Sequence, residues 1–168
     1  LAEHNELVTR IGPGTPCGDL MRRYWQPAAL LDEFDPRLDP RMDQRPVKAV
    51  RLLGQDLVLF KDDQGRWGLL DRDCPHRGAD LAYGRREDGG LRCAFHGWLF
   101  DATGRCLQTP AEPEGSKLAQ RVRQIAPTDA DRCRGLRELA RGGLHHPCRL
   151  LFRNGTDGFR GLRRAELA

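Results

Sequence analysis

The chain has 168 residues, of which 39% are apolar and 31% charged, with a formal net charge of +4 at pH 7. That length suits one domain, or a small domain with an extension, and no apolar run approaches the ~20 residues a membrane helix needs. The charge does not point to nucleic acid. Residues 1–124 carry nineteen basic and nineteen acidic side chains, and residues 125–168 carry nine Arg against five acidic residues. The excess sits wholly in the tail, and the first part has no basic stripe interleaved with aromatics. No charged segment followed by an apolar one opens the chain, and no apolar stretch follows Arg22-Arg23. Neither a secretory leader nor a twin-arginine signal is expected, and the expected location is cytoplasmic.

In chain order, residues 1–46 read as an N-terminal extension. Thr15-Pro16 is a helix start, with Thr as the cap and Pro in the first turn, and Leu20, Met21 and Tyr24 fall on one face. Residues 25–31 lead towards a strand, and 34–46, with three prolines and several Asp, read as a loop. From Val47 the texture becomes β. VKAVRLL, DLVLFKD and RWGLLDR are separated by Gly54-Gln55 and by Asp63-Gln64-Gly65, which are hairpin punctuation. LRCAFHGWLF and the turn Asp101-Ala102-Thr103-Gly104 follow. Short strands at this spacing, without a long helical period, predict a small all-β domain of antiparallel sheets over 47–124 behind a helical extension. Residues 125–168 lack Val, Tyr, Trp and Lys. The stretch from Asp129 to Arg141 is compatible with a helix, and nothing in the tail continues the β texture.

The sharpest signal is Cys74-Pro75-His76, sixteen residues, then Cys93-Ala94-Phe95-His96. Two Cys and two His in paired short spacings predict a four-ligand metal site. Zinc accepts Cys2His2 in a tetrahedron, and a Rieske cluster takes two Cys on one iron and two His on the other. The spacing favours the cluster. Each short motif is mixed, as two facing loops that each give one thiolate and one imidazole require, whereas zinc fingers pair like with like. Gly78 and Gly97 flank the ligands and would let the backbone approach the cluster and its sulfides, with loop N–H groups donating to sulfur. A stand-alone Rieske-type ferredoxin and a zinc-stabilised interaction domain are the rival readings.

CPHRGADL at 74–81 and CAFHGWLF at 93–100 resemble the two cluster loops of the Rieske non-haem iron oxygenases. NELVTRIGPGTPCGDLMRRYWQPAAL at 5–30, VRLLGQDLVLFKD at 50–62 and LLDRDCPHRG at 69–78 resemble the same family, in its phthalate and phenoxybenzoate dioxygenase branch. The resemblance covers roughly residues 5–124. It implies an oxidoreductase component of the aromatic ring-hydroxylating type, with a [2Fe-2S] cluster on Cys74, His76, Cys93 and His96 and with Arg77, Gly78, Gly97 and Trp98 around it. Trp98 would pack over the cluster or belong to the core, and Arg77 would face a partner or brace its loop. Trp25, Trp67 and Phe100 read as core. Electrons would come from NADH through a reductase or ferredoxin donor and pass to a mononuclear Fe(II) that activates O2. The family's two-His, one-carboxylate pattern for that iron, D/E-x2-H-x4-H, does not occur in this sequence, so the chain reads as the electron-transfer part. His145 and His146 are adjacent and read as a solvated pair. A homo-oligomer such as a trimer, and neither a nucleic-acid nor a membrane partner, complete the expectation.

Two departures separate the chain from the respiratory type, which carries an extra disulfide and a serine hydroxyl near its cluster. Here Ala79 and Phe95 stand at the extra Cys positions and Trp98 at the serine. The expected potential is therefore at the low end of the Rieske range, on the order of −150 mV. Cys17, Cys106, Cys133 and Cys148 are expected as free thiols. After Val122-Arg123 the family continues with a Tyr-Pro-Val strand, and here the text turns to QIAPTDADRCRGLRELARGG. That switch is what a shifted reading frame in GC-rich coding DNA would produce, near Gln124, or a disordered tail.

Overall fold

The computed structural model describes residues 2–24 and 26–126, together with the backbone of 137–138 and 149–152. The extension forms α1 (Ala2–Thr9) and α2 (Pro16–Met21). The Thr15 side chain accepts from Gly18 N at 3.2 Å and Pro16 occupies the first turn, so the predicted helix start is the observed one. Leu20, Met21 and Tyr24 are exposed. A 3-10 turn at Leu31–Phe34 leads into the segment expected as a plain loop, 34–46, which itself holds a one-turn helix, α3 (Arg41–Gln44). The Asp residues that suggested a loop organise it locally: Asp35 accepts from Arg37 N and Asp39 from Arg41 N, the side-chain mimicry of a turn that Asp favours.

Strands β1 (Gln26–Leu30), β2 (Val47–Leu52), β3 (Gln55–Lys61) and β4 (Trp67–Asp71) follow. The antiparallel order β2-β3-β4 makes one sheet. Its first turn is Leu53-Gly54, one residue earlier than the sequence suggested, with both residues at positive φ (47° and 79°). That is the backbone a two-residue hairpin requires. β5 (Arg85–Glu87), β6 (Gly90–Arg92), β7 (Leu99–Asp101) and β8 (Cys106–Gln108) form the second sheet in that order. LRCAFHGWLF is thus two strands with a loop between them. A short helix, α4 (Leu118–Arg121), follows. β9 (Arg137–Glu138) and β10 (Arg149–Phe152) pair antiparallel, and β10 pairs with β1. The helix expected from Asp129 to Arg141 is therefore corrected at 137–138, which is extended, because ladder pairing satisfies the backbone there. The tail does contribute β structure. Cys133, Cys148, His145 and His146 lie outside the described residues, as does Trp25.

β3 explains why DLVLFKD is a continuous apolar run rather than an alternating one. Val58 and Phe60 enter one core cluster and Leu57 and Leu59 another, and all four are essentially fully buried. A strand covered on both faces has no polar side. The first cluster lies between the sheets and includes Phe100, Trp98, Cys74 and Cys93. The second packs β3 against Phe34, whose ring meets Trp67 edge-on at 4.8 Å.

Two turns share one design, D-x-x-G-R. Asp62 accepts from Gln64 N and Arg66 N, and its second oxygen takes Arg66 Nε at 2.7 Å. Asp101 does the same with Thr103 N, Arg105 N and Arg105 Nε at 3.1 Å. Both carboxylates are buried and fully engaged, as burial demands. The second turn receives the end of the domain: Gln124 N donates to Gly104 O at 2.7 Å.

Candidate metal centre

Two loops of matching construction carry the four candidate ligands. In the first, Cys74 N donates to Ala79 O at 2.9 Å and Gly78 N donates to Cys74 O at 2.8 Å. In the second, Cys93 N donates to Trp98 O at 2.8 Å and Gly97 N to Cys93 O at 3.1 Å. Each loop begins at its Cys and turns on a Gly four residues later. Gly78 and Gly97 have φ of 66° and 74°, the left-handed region that an L side chain enters only at a cost. Their role is thus conformational before it is a matter of clearance, since a Cβ at Gly78 would meet no protein atom within 4 Å.

The loops bring their side chains together. The rings of His76 and His96 lie 4.6 Å apart, centroid to centroid. Cys74 and Cys93 are both buried free thiols in the core cluster. Burial pushes the Cys74 thiol up to about 11, with the neighbouring Cys93 adding to the rise while the backbone N–H of His76 opposes it. Desolvation lowers the pKa of His76, and the nearby His96 and Arg77 lower it further. A neutral imidazole is the form that ligates a metal. Nδ1 of His76 is buried and without a hydrogen-bond partner, an uncommon state for a buried polar atom and one that a metal bond would relieve.

Trp98 is buried and stacks on His76 across the two loops, at 4.5 Å and an interplanar angle of 1°. It also belongs to the core cluster that contains Cys74 and Cys93. Phe95, beside His96 at 4.0 Å, is 64% exposed, so the His edges lie at the surface while the thiols lie inside. Arg77 is exposed. Phe100 is fully buried core and Trp67 packs half-buried against the second cluster; Cys17 is a free thiol on α2, and Cys106 is a free thiol in the same core cluster as Cys74 and Cys93. Among the described residues no three of His, Cys, Asp and Glu converge to hold a single metal ion, and none of the described helices is long and apolar enough to cross a membrane. Two thiols behind two imidazoles suit a group that takes two protein ligands on each of two metals, and the donor set fits a [2Fe-2S] cluster.

Three supporting residues were not evident from the sequence. Arg72 grips Asp80 with Nε at 2.9 Å and Nη2 at 2.6 Å, closing the base of the first loop. Gln124 donates from Nε2 to the carbonyls of Asp71 and Asp73 at 2.7 and 2.8 Å, just before Cys74. Arg92 reaches Gly97 O from the strand preceding the second loop. An acidic residue close after a ligand motif was a usable signal for Asp80. No sequence pattern marks the other two: Gln124 finds its acceptors 53 and 51 residues away, and Arg92 gathers Glu87, Asp88 and Gly97 from its own hairpin and Gln108 from β8.

Comparison with known proteins bears on these loops directly. Residues 36–126 match the family model described as the Rieske [2Fe-2S] domain. Over 111 residues the chain is 50% identical to the 5,5'-dehydrodivanillate O-demethylase oxygenase subunit of Sphingobium sp. (strain NBRC 103272 / SYK-6), covering 66% of this chain and 24% of the relative. It is 48% identical over 117 residues to phenoxybenzoate dioxygenase subunit alpha of Ectopseudomonas oleovorans, covering 70% and 26%. Among solved structures, NdmA of Pseudomonas putida CBB5 superposes with a TM-score of 0.60 at 25% identity, over 80% of this chain and 35% of that one. The chain spans about a quarter of the length of these curated relatives.

Proposed function

The chain belongs to the Rieske [2Fe-2S] domain family, and from that premise we propose that Cys74 and Cys93 hold one iron of the cluster as thiolates while His76 and His96 hold the other as imidazoles. The observation that carries this reading is the pair of matching loops, each presenting one thiol and one imidazole, with the two rings 4.6 Å apart. When bound, such a cluster takes up and gives back one electron. The protein's part is to hold it. The buried thiols give up their protons on binding, since only the thiolate ligates. Nδ1 of His76 is already turned inward without a competing partner. Trp98 and the core around both Cys keep water from the inner side. The exposed edge beside Phe95 and Arg77 is where electrons enter and leave.

The chain is the electron-transfer part of an oxygenase that acts on an aromatic compound with O2, fed from NADH by a reductase or ferredoxin. The family match and the oxygenase names of its relatives support this reading. No residue within 1–168 is assigned to oxygenation. The test is reduction. The iron-loaded chain, mixed with NADH and the reductase of a phthalate-type oxygenase, should bleach in the visible with one electron taken up per chain. A loaded chain that dithionite reduces and the reductase does not would contradict the proposed route.

A further inference from the structure

Arg92 is 7% exposed, one residue before Cys93, on a strand whose pairing alone would not require a charge there. Four of the five N–H donors of its guanidinium are engaged. Nη1 donates to Gly97 O at 2.8 Å, Nε to Glu87 at 2.6 Å, and Nη2 to Gln108 Oε1 at 2.7 Å and Asp88 at 3.1 Å. One side chain therefore ties together the β5–β6 turn, the edge strand β8 and the carbonyl of the glycine on which the second ligand loop turns. Burying a guanidinium is costly unless its donors are paired, and a core position filled by Leu would pack without that demand.

Resting on the ligand reading above, we infer that Arg92 is a positioning residue for the cluster: it fixes the Cys93–His96 loop through the Gly97 carbonyl, and it does so by the fork of its guanidinium rather than by its charge. The first loop has a counterpart in Arg72 with Asp80, but that pair is partly exposed and does not touch a loop glycine. Only a fork reaches four acceptors in different directions, and a lysine ammonium supplies a point charge on one atom.

The experiment compares the cluster-loaded full chain with Arg92→Lys, Glu87→Gln and Gln108→Leu. Iron loss to a chelator, EPR line shape and thermal unfolding are measured for each. Arg92→Lys keeps the charge and loses the fork; cluster loss should accelerate about 10-fold or more, the usual cost of removing a residue that orients a ligand, with a broadened EPR signal. Glu87→Gln keeps an acceptor and removes a charge, and its loss rate should stay within about twofold of wild type. Gln108→Leu loosens the fork from its far side, and a smaller acceleration of about threefold is expected. If Arg92→Lys does not fold, Gln108→Leu alone decides, and an unchanged loss rate there overturns the inference. So does wild-type behaviour of Arg92→Lys, or equal acceleration in Arg92→Lys and Glu87→Gln, which would make charge the cause. A wild-type chain that takes up no iron and sulfide overturns the ligand reading itself, and is distinguishable because it fails before any variant is compared.

Discussion

The rings of His76 and Trp98 lie parallel, 4.5 Å apart with an interplanar angle of 1°. One comes from each ligand loop, so the stack is a bridge between them as well as a lid on the inner side. Trp98→Ala should destabilise the chain by about 3–5 kcal/mol, as loss of a large buried aromatic does, and Trp98→Phe by clearly less. Urea unfolding monitored by circular dichroism checks both. A cost under about 1 kcal/mol for Trp98→Ala would show that the stack is incidental to packing.

Gln124 makes a comparable bridge from the end of the domain. Its amide is the donor for two carbonyls that lead into the first loop. Gln124→Met keeps the bulk and strands those acceptors, at about 1–3 kcal/mol. Amide exchange at Cys74 and Gly78 should speed up more than exchange in β3. Equal acceleration in both regions would mean a general loss of stability with no particular hold on the loop.

Acid and neutral pH should act on two neighbouring carboxylates in opposite senses. The Arg72 side chain holds Asp80 below the ordinary carboxylate value, so its contribution is present above the unfolded pKa of about 3.9 and is lost as pH falls through the lower folded value. Burial pushes Asp71 up, opposed by the N–H of Arg72 and reinforced by Asp73 and Asp56. Its stabilising contribution is present only below the unfolded value and is lost as pH rises through the folded one. Asp80→Asn should therefore lower the melting temperature at pH 7, and Asp71→Asn should raise it. Both differences should shrink towards pH 3. A destabilised Asp71→Asn at neutral pH would contradict the assignment.

Gly78→Ala and Gly97→Ala place a side chain at positive φ, at about 1–2 kcal/mol each. At Gly97 the new Cβ reaches Pro110 at 3.4 Å, an ordinary packing distance, and at Gly78 it meets nothing within 4 Å, so the backbone strain sets the cost at both and Gly97→Ala should be no less stable than Gly78→Ala. Parallel thermal melts of the metal-free chains check the order.

Neither ligand loop carries a Ser, Thr or Tyr hydroxyl, since residues 74–79 are CPHRGA and 93–98 are CAFHGW. The midpoint potential should sit at the low end of the Rieske range, on the order of −150 mV. A dye-coupled redox titration giving a value above about +100 mV would contradict this reading of the loops.

The fold class and the ligand candidates were legible because their signals are local. The two mixed Cys/His motifs, the hairpin glycines and the Thr15-Pro16 cap all declare themselves within a few residues. Strands β5 and β8 were not visible, being three residues long with little alternation to read. The 34–46 segment hid a helical turn, since Asp and Pro organise short helices as readily as loops. The doubled D-x-x-G-R turn was present in the text, but its meaning lies in the side-chain hydrogen bonds of Asp62 and Asp101. Arg92 and Gln124 were unreadable for a physical reason: a buried polar side chain acquires its role from acceptors that only the folded chain brings to it, here 4 to 53 residues away. The tail misled in the other direction, because pairing of β10 with β1 satisfies a backbone whose composition is not that of a strand.

The most direct test is iron and acid-labile sulfide content of the purified chain, with EPR of the same sample after dithionite reduction. A cluster held by Cys74, His76, Cys93 and His96 predicts two irons and two sulfides per chain, and an average g below that of an all-cysteine cluster, lost when Cys74 or Cys93 is changed to Ser. Zinc without sulfide, or a folded chain that retains neither metal, would contradict it.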